Sequence, residues 1–567
     1  MKVNIYILLL LLFSLSLCSD EDKINYMKNL YGENKEITGE YDKNLSVTCN
    51  NGIFVGIKKG NVLSFKGIPY AQPPIGNLRW KEPVQAQDSN KVYQAYYFGK
   101  SPIQSESLSQ LGSYYPQGEG CLYLNVWINT NDPSNNKTVM VFIHGGGYNS
   151  GSTSEPLYDG NNLIEKYKDI IYVSIEYRLG IFGFIDFSSV PGGENYKTSN
   201  NMGLLDQICA LKWIQKNIKN FGGDPQRITL FGQSAGATSI SLLTLMDESE
   251  NLFQRIICES GSFGLTSSTE ESQILTKKFL EKSGASKMED LLSLSEEQIK
   301  KINDDIASYD HFAERDGNIL PKDLYEAFKS RKTKNIDMLL GSNKDEIRFF
   351  INSMGKFFYT HGLPILFENN LKKISEEDKK YVEDFMKLQN DKKIWKITEF
   401  YNEAIFRVPM NKQAEYHSDA GGNTYVYYWK YGKDELLKAY HSIELLYVFN
   451  NFNETSSQNK INQELSSKVQ DMWVNFARNG NPSTNDIIWE KYNSSTRKTM
   501  YFDEKIEMGE EYKSEQRELI EPLLKYYFNG NSAEMSYNVP QTYRIAAQFL
   551  GAIGIVIASI VFTIKLK

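Results

Sequence analysis

FGGDPQRITLFGQSAGA, running from Phe221 to Ala237, is the stretch that decides the fold of this chain. An apolar, β-branched run from Ile228 to Phe231 stops at Gly232, and Gln233, Ser234, Ala235 and Gly236 follow. This is G-x-S-x-G set directly after a strand and directly before a helix-compatible run, the context of a nucleophile elbow. The pentapeptide alone also suits a plain strand-to-helix turn with a solvent-facing serine. Its surroundings favour the elbow. Gly232 and Gly236 remove the Cβ atoms that would clash in so sharp a turn. Such a turn lifts the hydroxyl to the top of a sheet and aims the N-terminus of the next helix at it.

A serine hydroxyl is a poor nucleophile at neutral pH. It needs a base, a group that orients the base, and donors for the developing oxyanion. Val139 to Ile143 is an apolar strand that ends in His144-Gly145-Gly146-Gly147-Tyr148. Glycines let backbone N–H groups approach a reacting carbonyl without a Cβ in the way. A hairpin or a phosphate loop would also use glycines, but no Lys-Ser/Thr follows to make the phosphate loop. A third donor would be the N–H of Ala235, the residue after the serine. The chain has five histidines. His144 belongs to the glycine loop, and the chain order after such an elbow is nucleophile, acid, histidine. That leaves His311, His361, His417 and His441. His441 stands in KAYHSIELLYVFN, after a Gly-containing loop and before an apolar run, a setting that suits a general base. The acid belongs on a loop after a strand. Met338 to Gly341 is a short strand, followed by Ser342-Asn343-Lys344-Asp345-Glu346; local sequence leaves Asp345 and Glu346 equal.

With 567 residues, 41% hydrophobic and 13% aromatic, the chain can bury a large core. Length alone suggests three or four domains, but the motifs spread over nearly the whole chain and argue for one. A net charge of −7 with no basic stripe argues against a nucleic-acid partner. No cysteine or histidine cluster has metal-ligand spacing, so neither metal nor cofactor is expected.

Two segments stand outside the fold. Residues 1–19 carry Lys2, an apolar run from Ile5 to Leu17 and small residues at Cys18 and Ser19, and read as a secretory signal peptide. The alternative is a buried N-terminal helix. Residues 545–564, IAAQFLGAIGIVIASIVFTI, would form a helix about 30 Å long, enough to span a bilayer. The lysines in the tail 565–567 then lie inside, in accord with the positive-inside rule, and residues 529–544 read as a polar stalk. These features predict a single-pass type I membrane protein on the secretory route, with residues 20–528 outside the cell or in the lumen. A lipid-anchor signal with Gly530 to Ala533 as its small residues is the alternative. Sequons at Asn44, Asn136, Asn453 and Asn493 agree with glycosylation outside. Of the cysteines beyond Cys18, Cys209 and Cys258 read as small buried apolar residues. Cys49 and Cys121 are the one plausible pair, and whether they bridge is left open.

With these residues in view, the chain resembles the type-B carboxylesterase family, the carboxylesterase and cholinesterase branch of the α/β-hydrolases. The matches run from about Val47 to about Met508. They include FKGIPYAQPPIGNLRW, EGCLYLNVW, VFIHGGGY, SIEYRLGIFGF, the elbow, FQRIICESGS, GSNKDE, HSIELLYVF and WVNFARNGNP. The resemblance implies an α/β-hydrolase fold: a large, mostly parallel central sheet flanked by helices, one catalytic domain with insertions. It implies Ser234 as nucleophile, Glu346 as acid and His441 as base. It also implies Gly146, Gly147 and Ala235 as oxyanion donors, Ser260 as a serine supporting the acid, and Arg79 with Glu119 as a structural ion pair.

The chain departs from the family, or from its cholinesterase branch, in several places. Gly120 stands before Cys121 where the family has Asp. Ser101 to Gln104 lie about where the usual partner of Cys121 would be, so the family bridge cannot form in its usual way. Ala285 and Ser293 replace a second cysteine pair. Ile347 follows Glu346 where Gly is common. No tryptophan lies between Trp80 and Trp127 to hold a choline cation, and Gln233, not Glu, precedes the serine. The expected activity is therefore hydrolysis of a neutral carboxylic ester and not of a choline ester. A non-catalytic, membrane-anchored adhesion or binding protein and a lipase or thioesterase with the same triad are the competing classes. The oligomeric state is not legible.

Overall fold

KTVMVFI (Lys137–Ile143) and IIYVSI (Ile170–Ile175) carry no polar face, as strands must not when helices cover both sides of a sheet, and every residue in them is buried. Along the first, Val139, Val141 and Ile143 enter one hydrophobic core while Met140 and Phe142 enter another, the period of two expected of a strand. The computed structural model describes residues 32–105, 116–307, 309, 311–331, 333–350, 362–451 and 462–528.

These strands belong to an 11-stranded sheet. In spatial order its members are Ile506–Gly509, Thr499–Phe502, Thr424–Trp429, Asp337–Asn343, Arg255–Glu259, Gly223–Gln233, Lys137–Ile143, Ile170–Ile175, Tyr123–Asn129, Val62–Pro69 and Ile57–Lys59. Every pairing from Thr499–Phe502 across to Ile170–Ile175 is parallel, and the outer pairings are antiparallel. Parallel strands send their C-terminal ends to one rim, and the candidate site lies there. On one face the sheet packs against helices Met202–Asn217 and Ala235–Leu243; on the other, Gln463–Asn479 brings Trp473 and Phe476 against Phe142 and Phe231. A third apolar cluster gathers around Trp80 beneath helices Thr269–Ser283 and Glu296–Ile306. The first of these begins in a capping box between Ser268 and Glu271, readable in the sequence as S-x-x-E.

The structure decides the cysteine pairing. Cys49 and Cys121 do not bridge; both are free, buried thiols, as are Cys209 and Cys258. Cys49 closes the strand Ser46–Cys49 and Cys121 precedes the strand from Tyr123, each set in apolar core. Burial pushes the Cys49 thiol up to about 12 and holds the Cys121 thiol well above its ordinary value, which keeps both inert. The segment ending at Cys121 is tied down by a bidentate ion pair instead. Arg79 Nε lies 2.6 Å from Glu119 Oε2 and Nη2 lies 2.5 Å from Oε1, while Nη1 donates to Leu294 O at 2.7 Å.

Among the described residues no helix is long and apolar enough to cross a membrane. The candidate span 545–564, the stalk 529–544, the tail 565–567 and the signal 1–19 lie outside the described residues, as do Asn453 and His361. Asn44, Asn136 and Asn493 are exposed.

Candidate active site

The strand Gly223–Gln233 ends at the elbow. Ser234 has φ 57° and ψ −125°, a backbone state that L-residues seldom adopt, and Ala235 starts the next helix. The turn is held from both sides: Ser234 N donates to Glu259 O at 2.8 Å and Thr238 N to Ser234 O at 2.9 Å. The two glycines of the motif answer to the neighbouring strand. A Cβ on Gly232 would lie 2.5 Å from Ile143 O, and one on Gly236 would lie 2.0 Å from it. Only bare Cα positions let the Lys137–Ile143 strand, and the glycine loop that follows it, come this close.

That loop is fixed at its base. Tyr177 Oη donates to His144 O at 2.8 Å, and the His144 ring stacks on Tyr177. His144 Nδ1 meets Gly145 O at 2.8 Å. A trans peptide points its carbonyl and its N–H in opposite directions, so this contact turns the Gly146 N–H away from the imidazole. Gly146 O in turn receives Asn149 N and Ser150 N, each at 3.0 Å. Gly146 (φ 115°) and Gly147 (φ 61°) need a left-handed backbone. Among the described residues the N–H groups of Gly146, Gly147 and Ala235 have no recorded acceptor.

His441 Nδ1 lies 2.6 Å from Glu346 Oε2. Glu346 is fully buried, and its Oε1 receives Asn343 N at 2.6 Å, so neither oxygen is idle. Asp345 turns elsewhere, to Arg348 Nε at 2.9 Å. Among the other described histidines, His417 sits against Thr424 Oγ1 and Thr333 O, and His311 is walled into the core; burial lowers both to about 4. The free ring nitrogen of His441 faces the Gln233 amide, Nε2 to Nε2 at 3.0 Å. Between Ser234 and His441 no hydrogen bond is formed in this structure. Such contacts are often loose in an unliganded site and tighten around a substrate.

Several residues around the imidazole were not singled out from the sequence. Glu444, three positions after His441, is buried; its Oε2 takes the Asn343 side-chain amide, so Asn343 joins the two carboxylates. Burial first, and the Glu346 charge second, raise the Glu444 carboxyl to about 8. Ser260 (φ 55°) is buried near Glu444, and its Oγ makes no hydrogen bond among the described residues. Glu259 is also buried, takes Trp473 Nε1 at 2.7 Å, and is pushed well above the usual carboxylate range by burial and by Glu444. A π-helical turn, Asn402–Arg407, reaches in from the far side. Its Asn402 Oδ1 accepts Ile347 N at 2.9 Å, and Ile347 is not among the positive-φ residues, so the acid turn requires no glycine there. Its Phe406 ring lies 5.0 Å from the imidazole, with Phe350 at 5.5 Å and Phe349 at 6.1 Å. π-turns gather at functional sites and leave no periodic signal. Glu444 had one, its i+3 spacing from His441 beside an apolar run.

Known proteins match this chain over most of its length. The carboxylesterase family model matches residues 43–520. A para-nitrobenzyl esterase of Bacillus subtilis (strain 168) is 34% identical over 498 residues, covering 84% of this chain and 98% of that protein. A cholinesterase of Mus musculus is 30% identical over 500 residues, 79% of this chain and 80% of its own. A solved PNB esterase structure superposes with a TM-score of 0.75 at 31% identity, covering 84% of this chain and 99% of that one.

Proposed function

The chain belongs to the carboxylesterase family and is a carboxylic-ester hydrolase, and from that premise we propose that Ser234, His441 and Glu346 form its catalytic triad. The observation that carries the proposal is the paired carboxylate: Glu346 Oε1 held by Asn343 N and Oε2 on His441 Nδ1, both at 2.6 Å. An ionised Glu346 fixes the proton on Nδ1 and leaves Nε2 free to accept one. His441 then takes the Ser234 proton as the hydroxyl attacks the ester carbonyl. The N–H groups of Gly146, Gly147 and Ala235 stabilise the tetrahedral oxyanion, where each such donor is typically worth about 100-fold to 1000-fold in rate. His441 protonates the leaving alcohol, and water repeats the cycle on the acyl-enzyme. Ser260 supports the acid indirectly, through Glu444.

The substrate is a neutral ester. Phe349, Phe350 and Phe406 present an apolar wall to the imidazole, and Gln233 adds no negative charge beside it. The test is turnover of p-nitrophenyl acetate and p-nitrobenzyl esters together with covalent labelling by an organophosphate. The wild-type chain turns over the ester and takes the label; Ser234→Ala does neither. A wild-type protein that is inert in both assays overturns the proposal and favours a binding role.

The secretory reading belongs to the same proposal. The signal at 1–19, the span at 545–564 and the sequons at Asn44, Asn136, Asn453 and Asn493 make this a glycosylated, membrane-tethered esterase. Recovery in the membrane fraction with a mass shift on deglycosylation is the expected result; a soluble, unglycosylated product from its native host refutes it.

A further inference from the structure

The residue before the nucleophile places its side chain where the nucleophile's proton has to go. Gln233 ends its strand almost wholly buried, 4% exposed, and its Nε2 lies 3.0 Å from His441 Nε2. It has little room to be elsewhere. A Cβ on Gly145 would stand 3.0 Å from Gln233 Oε1 and 2.6 Å from Gln233 O, so the amide is packed against the first glycine of the oxyanion loop. The other face of the imidazole is taken by Glu346 at 2.6 Å, and its flanks by Phe350 and Phe406.

Proton accounting fixes the direction of this contact. Nδ1 faces a carboxylate oxygen whose partner oxygen already accepts the Asn343 N–H, so Nδ1 carries the hydrogen. Nε2 then presents a lone pair, and an amide nitrogen can meet a lone pair only by donating to it. Resting on the assignment of His441 as base, we propose that Gln233 is a positioning residue that caps the base nitrogen of His441 in its neutral form and yields it to Ser234 during proton transfer. A protonated Nε2 would turn a second N–H against the amide hydrogens. Hydrogen bonding to the neutral form disfavours the charged form, so the amide extends activity toward lower pH. A carboxylate at the same position would do the opposite, since it favours an imidazolium.

Among the described residues, the charged and titratable groups around the imidazole are Glu346 and, behind it, Glu444, Glu259 and Tyr427. All are left in place by a change at residue 233, so the amide can be tested alone. The experiment is the pH profile of kcat/KM for p-nitrophenyl acetate in wild type, Gln233→Glu and Gln233→Met, with the rate of organophosphate labelling as a second readout. The acid limb moves to higher pH by about one unit in Gln233→Glu, which makes the variant about tenfold less active than wild type at pH values below both limbs. It moves in the same direction by less in Gln233→Met, which keeps the bulk and loses the donor. Acid limbs that superimpose on wild type in both variants overturn the proposal, even if both lose activity, because a purely structural role lowers rates without moving the limb. If Gln233→Glu does not fold, Gln233→Met decides. A wild-type protein with neither turnover nor labelling refutes the esterase assignment itself, a result distinct from an active enzyme with unmoved limbs.

Discussion

Replacing Glu346 by Gln should disable the site through the tautomer of His441 and not through loss of fold. The change is nearly isosteric, and the structure dictates how the new amide must sit. Oε1 of Glu346 accepts the Asn343 N–H at 2.6 Å, so the amide oxygen stays there and the NH2 faces Nδ1. Nδ1 must then accept, the imidazole hydrogen moves to Nε2, and His441 can no longer take a proton from Ser234. The reverse amide orientation restores the useful tautomer but sets N–H against N–H at Asn343, at a cost of about 1–3 kcal/mol. The charge that steadied the imidazolium is gone as well. At ~4 Å and an effective dielectric of about 20 this is worth about 4 kcal/mol. Together these come to about 5–7 kcal/mol, or about 10⁴-fold in kcat, in line with other mis-tautomerised triads. The assay is kcat on p-nitrophenyl acetate beside thermal unfolding, with Glu346→Asp as the partial rescue. A Gln variant within about tenfold of wild type would refute the assignment of the acid and the proton accounting built on it.

Glu444 gives a pH signature in stability. Its folded carboxyl is raised from 4.5 to about 8, so an unfolded chain releases the proton first, and stability falls as pH climbs between those values. Glu444→Gln should flatten the fall of Tm over that window; parallel Tm profiles would contradict the burial argument. Arg79→Met leaves Glu119 buried without its partner and should cost about 3–5 kcal/mol in urea unfolding. The double change Arg79→Met, Glu119→Leu should recover much of this, and equal losses in both would argue against the ion pair. Cys49, Cys121, Cys209 and Cys258 should resist a thiol reagent until the chain unfolds, and a reducing agent should leave Tm unchanged. A drop in Tm under reduction would restore the bridge that the structure lacks.

Legibility in the sequence followed locality. The elbow could be read because strand, glycines and serine are contiguous. The choice between Asp345 and Glu346 could not, since both precede the same turn. What separates them is that Arg348, one helical turn on, captures Asp345. Resemblance supplied that choice, and the cysteines show the limit of counting: an even number permits bridges without placing any pair side by side. Asn402 acts on the acid turn through packing between distant segments, which no local pattern encodes. The π-helical turn is in the same position, because one extra residue in a helix changes no periodicity strongly enough to be seen. Gln233 was legible as a missing negative charge; that its amide would lie on the base nitrogen was not.

Gln233 and His441 lie 208 positions apart, and the strand Thr424–Trp429 must join the sheet before the loop bearing the histidine can reach the elbow. A growing polypeptide therefore carries its serine for much of its synthesis with no partner to activate it. If Ser234 and His441 act together as proposed, hydrolysis should switch on only when the later strands dock, and the appearance of esterase activity during translation or refolding should then report completion of the sheet rather than formation of the elbow.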